Sequence, residues 1–382
     1  MRLIHLHTTF LCIAGLLASS CSSLRHAKPE DEKAAAVLAT IHTVNRYWQS
    51  NNPEHGRSFW DNAAYHTGNM EVVKLTGDDR YRQYSEAWAV KNDWKGATAV
   101  NPAEWKYSYG EKPEYVLFGD WQICFQTYID LYQLNPAEFK IARAKEVMGY
   151  QVKTGKNDYW WWADGLYMVM PVMVKMYKLT GDPVYLDKLY NWFTYANSIM
   201  YDSTEHIYFR DARYVYPKHS TTSGKKDFWA RGNGWVFAGL AKVLQDLPVT
   251  DVHREEYIQT FRKMAQTLKQ YQQPEGYWTR SIMDMNQAPG YETSGTAFFT
   301  YGYFWGINNG YLDRSAFLPV AQKGWNFLRT VALQPDGKIG YVQPIGERAI
   351  PGQVVDKDST ANFGVGAFLL AACERYRFLD RK

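Results

Sequence analysis

The chain has 382 residues, 46% hydrophobic and 21% charged, with Lys+Arg 43 against Asp+Glu 39; the low-hydrophobicity, high-charge signature of disorder is absent and a large core is expected. A net charge of +4 with no basic block argues against nucleic acid as a partner. Fifteen Trp, 29 Tyr and 18 Phe exceed what a core needs, and rings with a polar edge suit a site that is apolar on one side and wet on the other, as a sugar site is.

Arg2 opens a short positive region, Phe10 to Leu17 is apolar, and Leu17-Ala18-Ser19-Ser20-Cys21 sets small residues before a cysteine, the pattern of a secretory signal over residues 1 to 20. The motif resembles a bacterial lipobox, which implies diacylation of Cys21, export, and contact with the membrane through the lipid anchor only. A plain signal peptide cut nearby is the alternative. No stretch reaches the roughly eighteen uninterrupted apolar residues of a spanning helix. Residues 21 to 32 are polar and read as a tether, and 33 to 382 as a single domain. Beyond Cys21 only Cys124 and Cys373 remain, too few for a disulfide framework.

Periodicity predicts twelve helices, near 33–50, 60–76, 79–94, 120–134, 137–154, 163–179, 183–200, 231–247, 253–272, 294–309, 313–333 and 360–378, and hardly any strand. Odd-numbered segments are amphipathic. In the ninth, Tyr257, Phe261, Met264, Leu268 and Tyr271 share one face while Arg254, Lys263 and Lys269 lie elsewhere. Even-numbered segments such as Leu166 to Val174 and Ala297 to Ile307 are apolar or small all round, as helices buried on every side are. Six alternations of outer and inner helices predict an all-α fold, an (α/α)6 toroid; an open solenoid of helix pairs is the alternative. The repeat Leu75-Thr76-Gly77-Asp78 and Leu179-Thr180-Gly181-Asp182 supports closure, each placing Gly at a helix end and Asp before the next helix. Inner-to-outer links are at most five residues, whereas those near 95–119, 201–230, 273–293 and 334–359 exceed twenty. The long ones all enter inner helices at their N-termini and so gather at one mouth, where unpaired N–H groups favour an acidic ligand.

Polar and aromatic residues cluster at those entries. Trp60, Asn62, Trp121, Trp162, Thr293 and Ser294 are candidate substrate contacts, although a helix-capping role is equally open for Asp61, Ser294 and Ser359. Asp164 follows three consecutive Trp and precedes a helix with no polar face, so desolvation favours a carboxyl that holds a proton near neutral pH, while the helix N-terminus pulls its pKa the other way and the sequence does not set the net direction. Arg231 and Trp235 lie one helical turn apart, and an Arg fork beside a ring can hold a carboxylated sugar; the alternative is a structural ion pair. Arg210 and Arg213 can read a sulfate or second carboxylate, or pair with Asp211. The chain has no HExxH, CxxC or GxxxxGKS pattern, so neither a metal nor a cofactor is expected.

The motifs Asp158-Tyr159-Trp160-Trp161-Trp162-Ala163-Asp164-Gly165, Tyr208-Phe209-Arg210-Asp211-Ala212-Arg213-Tyr214, Phe228-Trp229-Ala230-Arg231-Gly232-Asn233-Gly234-Trp235 and Glu292-Thr293-Ser294-Gly295-Thr296 resemble, in order, those of the unsaturated rhamnogalacturonyl hydrolases of glycoside hydrolase family 105, relatives of the family 88 unsaturated glucuronyl hydrolases. The resemblance implies an (α/α)6 barrel that removes the 4,5-unsaturated uronic acid left by polysaccharide lyases at a non-reducing end. It further implies that Asp164 protonates C4 of the vinyl ether, that Asp120 orients water, and that Arg231 and Trp235 bind substrate. Two departures stand out: Gly119-Asp120-Trp121-Gln122 replaces the usual Ala-Asp-Asp-His, and Arg210 falls about where some members carry a His. Rival expectations are an inverting two-carboxylate glycosidase acting on an intact glycan and a lipid-anchored glycan-binding protein.

Overall fold

The computed structural model describes residues 32–381. Six inner helices, α2 (Trp60–Thr76), α5 (Cys124–Leu134), α7 (Ala163–Thr180), α9 (Ala230–Asp246), α11 (Thr293–Asn308) and α13 (Asn362–Asp380), each touch the next, and α13 returns to α2. That closure makes a toroid and not a solenoid. Outside it lie α1 (Ala34–Asn51), α3 (Asp79–Lys91), α6 (Phe139–Gln151), α8 (Val184–Met200), α10 (Arg254–Gln270) and α12 (Arg314–Phe327).

The predicted layers follow burial. From Ala230 to Leu244 every residue of α9 is buried, as is every residue of α11 from Thr293 to Gly306, while α10 buries one stripe including Phe261, Met264 and Leu268. Pro171 inside α7 cannot donate to the Tyr167 carbonyl, and Gln126 Nε2 donates there instead at 2.8 Å. The repeated Thr-Gly-Asp links behave alike. Gly77 and Gly181 take positive φ (64° and 71°), and the Asp78 and Asp182 side chains accept N–H bonds from Arg80 and Val184 at the start of the next helix. Where α2 crosses α13 the backbones touch: a Cβ on Gly68 would sit 2.3 Å from the Gly366 carbonyl oxygen.

Three details differ from expectation. The fourth predicted helix is two pieces, α4 (Gly119–Gln122) and α5, joined through Ile123. The eleventh ends at Phe327 and continues as a π turn over Leu328–Ala332. A two-residue hairpin, β1 (Tyr201–Asp202) with β2 (Ile207–Tyr208), sits in the link before α9, too short for any periodicity to announce. Links 92–118, 201–229, 271–292 and 333–361 all lead into inner-helix N-termini and build one mouth.

Candidate active site

The mouth is assembled by a repeated device. The first N–H of α7, from Ala163, donates to the Arg210 carbonyl at 2.8 Å; that of α9, from Ala230, donates to Arg280; that of α11, from Thr293, donates to Tyr341. Three of the four long links are thereby fastened to the preceding inner helix, which sets Arg210 beside Asp164. The second residues of the helices entering the mouth are Asp61, Asp120, Asp164, Arg231, Ser294 and Phe363. Half of this ring is acidic.

Asp120 is 3% exposed and Asp164 7%. One oxygen of each, Asp120 Oδ1 and Asp164 Oδ2, has no hydrogen-bond partner, and neither has Asp61 Oδ1. Burial pushes the Asp164 carboxyl above its ordinary value against the opposing pull of Arg210 and Arg231. Asp120 is pushed well above, by burial and then by the charge of Asp164. Burial raises Asp61 too. Arg210 Nε lies 3.5 Å from Asp164 Oδ2 without hydrogen-bond geometry, and its guanidinium stands 5.7 Å from the Trp161 ring centre. The arrangement can hold a proton on one carboxyl and steady the anion left when it departs.

The remaining sequence-predicted residues divide. Trp60 is half-buried, its ring stacked on Phe363 at 5.4 Å, and Asn62 accepts a 2.8 Å bond from Asn362 Nδ2. These two asparagines also line a cavity of about 210 Å³ beside the mouth, with His55, Tyr65 and Tyr84. Trp162 is buried, stacked on Phe118 and packed against Gly119 and Gly165. Trp121 is buried with Nε1 bonded to the Gly110 carbonyl. Thr293 Oγ1 donates to Gly340, and Ser294 Oγ to Glu292, the residue whose side chain caps α11. Arg231 and Trp235 have no exposed surface. Arg231 lies between Trp229 and Phe363 rather than beside Trp235, and donates to the Gln343 and Pro344 carbonyls at 2.8 and 2.9 Å. The link before α13 seals it. Burial also lowers the Arg231 guanidinium to about 10, still cationic at neutral pH.

Arg210 and Arg213 share the Asp211 carboxylate and also meet Glu347 on the opposite link. Sequence reasoning missed Glu347, the half-buried Trp161, Tyr109, whose hydroxyl feels the Asp120 charge, and the Arg57–Glu111 pair at 2.6 Å. Within the Trp run nothing marks which ring is left open, and pairings between distant links carry no sequence signal. Among the described residues no group of three or more His, Cys, Asp or Glu is placed to hold a metal ion.

A solved structure described as a polysaccharide lyase is 66% identical, with TM-score 0.90 over 91% of this chain and 99% of its own. A glycosyl hydrolase family 88 protein from Bacteroides vulgatus is 63% identical, with TM-score 0.90 over 91% of this chain and 100% of its own. An unsaturated 3S-rhamnoglycuronyl hydrolase from Formosa agariphila is 32% identical over 82% of this chain and 83% of its own length. The model of Glycosyl Hydrolase Family 88 matches residues 34–379. The motifs around Asp120, Asp164 and Arg231 fall within that match, on a barrel the family's solved members share, and the chain belongs to glycosyl hydrolase family 88.

Proposed function

We propose that this glycoside hydrolase removes a 4,5-unsaturated uronic acid from the non-reducing end of lyase-generated oligosaccharides, with Asp164 as proton donor. The observation that carries this is the pair of buried carboxyls, Asp120 and Asp164, each with a partnerless oxygen and each held above its usual titration range. Asp164 gives its proton to C4 of the vinyl ether as water adds at C5, and the water's proton returns to a carboxylate at the site. The C5 hemiketal then opens to a ketone by breaking its bond to the ring oxygen. C1 becomes a hemiacetal and releases the leaving sugar as an alcohol, so one water is consumed per bond cleaved. Arg210 steadies the Asp164 carboxylate between the two proton transfers. Asp120, the neighbouring buried carboxyl, orients the water.

The Formosa agariphila relative, by its description, acts on an unsaturated rhamnoglycuronyl linkage, which favours rhamnose as the sugar released here. One readout decides between hydrolysis and the lyase activity in the description of the 66% identical structure. Hydration removes the vinyl ether, so its ultraviolet absorbance falls on turnover. A rise in that absorbance on intact polysaccharide would overturn the hydrolase reading.

Export and lipid anchoring through Cys21 belong to the same proposal, supported by the Leu17-to-Cys21 motif, which lies outside the described residues. Cys21→Ser should move the protein from the membrane fraction to the soluble one with turnover unchanged. A wild type found wholly soluble after export would count against it.

A further inference from the structure

Glu347 is gripped by three donors from the opposite link. Its Oε2 accepts from Arg213 Nη2 at 2.7 Å and lies 3.5 Å from Arg210 Nη1; its Oε1 accepts from the Tyr214 hydroxyl at 2.7 Å. The same arginines share a second carboxylate, Asp211, which also takes the Arg213 backbone N–H at 2.8 Å. The two carboxylates differ in permanence. Asp211 is 2% exposed and tied to the backbone, whereas the Glu347 side chain is 42% exposed and that of Arg213 58%. Glu347 follows the exposed Ile345 and an uncrowded Gly346. Two guanidinium groups against one buried carboxylate leave one positive charge, which Glu347 cancels.

We propose that Arg213, Tyr214 and the outer edge of Arg210 form a subsite for an anionic substituent, a sulfate ester or a carboxylate, on the sugar next to the unsaturated uronate, and that Glu347 occupies this subsite until substrate displaces it. The proposal rests on the uronyl hydrolase reading for the identity of the substrate. A guanidinium fork takes carboxylate and sulfate oxygens alike, and an exposed ion pair gains little in water, so the exchange costs little. Arg210 supplies the spacing. Its Nε faces Asp164 and its Nη1 faces Glu347, so an anion in place of Glu347 lies one guanidinium beyond the acid.

Inorganic sulfate titrated at constant ionic strength and followed by tryptophan fluorescence tests the subsite directly. Glu347→Gln should bind sulfate about tenfold more tightly than wild type, and Arg213→Gln about tenfold more weakly, each a change of roughly 1.4 kcal/mol. A glutamate that only braces the loops would give no tighter binding when replaced, and that result overturns the proposal. Matched unsaturated disaccharides carrying a sulfate, a carboxylate or neither on the second sugar then identify the anion. Wild type should show the lowest KM for one charged form, and Arg213→Gln should bring the ratio of charged to uncharged KM close to one. Retention of that ratio by Arg213→Gln would also overturn the proposal. If wild type turned over none of the three, the hydrolase reading would fall, while the sulfate titration would still decide whether the subsite exists.

Discussion

Asp120 on α4 and Asp130 on α5, which follows it through Ile123, are almost equally buried and titrate in opposite directions. Asp130 stands at the closed end of the barrel. Burial there would raise its carboxyl, but Lys175, hydrogen-bonded to it, and Lys74 at 3.0 Å bring it below the usual range. Asp120 stands at the mouth with a partnerless oxygen, and burial and Asp164 drive it up. Helix dipoles alone predict the reverse, since Asp120 begins its helix and Asp130 is near the end. Neighbouring full charges outweigh them. The closed end repeats the lesson: burial would raise Glu71 as well, yet Lys74 and Arg377 hold it far down. The buried acids Asp130 and Glu71 at the closed end are matched within the fold, whereas Asp120 at the mouth is not.

The largest break in this contrast should come from Asp164→Asn. Losing the proposed proton donor should lower kcat by at least the roughly 100-fold to 10,000-fold typical of general acid catalysis while the variant still binds an unsaturated disaccharide. A folded Asp164→Asn enzyme that keeps a tenth of wild-type kcat would pass the role to Asp120. The pH profile sharpens the point. An acid must be protonated to act, so kcat/KM should fall as pH rises through the raised pKa of Asp164. Arg210 favours the Asp164 carboxylate, so Arg210→Gln should move that alkaline limb to higher pH, and a limb that stays put or moves down would show that Arg210 does not act on the acid.

At the closed end the next largest effect is on stability. Asp130→Asn removes the carboxylate hydrogen-bonded to buried Lys175, while Lys74 keeps Glu71, and breaking such a buried pair costs about 3–5 kcal/mol, readable as a lower urea midpoint at unchanged slope. Because the folded pKa of Asp130 is lowered, its contribution is present above the unfolded carboxyl pKa and is lost as pH falls through the folded one. Wild type and variant should therefore converge in acid. A loss that is the same at every pH would point to packing and away from the charge match.

How much of this was legible in the sequence follows from where the signal sits. Layers were legible because Leu166 to Val174 admits no wet face, and the links because Thr-Gly-Asp recurs with a residue that accepts positive φ. The position of Asp164 and Asp120 at the mouth was legible through motifs. Their companions were not. Trp160, Trp161 and Trp162 are identical in sequence, and only the tertiary contacts distinguish them: Trp160 packs on Trp192 and Trp162 on Phe118, while Trp161 is left half-open. Arg231 reads as a ligand fork until the Gln343 and Pro344 carbonyls, more than a hundred residues away, are seen to take its donors. Ser294 and Thr293 read equally well as caps or contacts, and the structure shows their hydroxyls engaged within the fold.

The smallest effect is the one that separates the two ends most cleanly, because the same substitution should now act with the opposite sign. The folded pKa of Asp120 lies above its unfolded value, so the folded state favours the protonated form. As pH rises past the unfolded pKa, ionising this buried carboxyl beside Asp164 becomes an increasing penalty on folding, which levels off once pH passes the folded pKa. Asn carries no charge and removes the penalty. Asp120→Asn should therefore raise Tm by about 1.4 °C near neutral pH, the size of roughly 1 kcal/mol in a domain of this length, and should match wild type at acidic pH, even as turnover falls. If Asp120→Asn instead lowered Tm across the whole range, as Asp130→Asn is expected to do at neutral pH, the mouth carboxylate would be a structural partner like those at the closed end, and the division of the barrel into a matched end and an open one would fail.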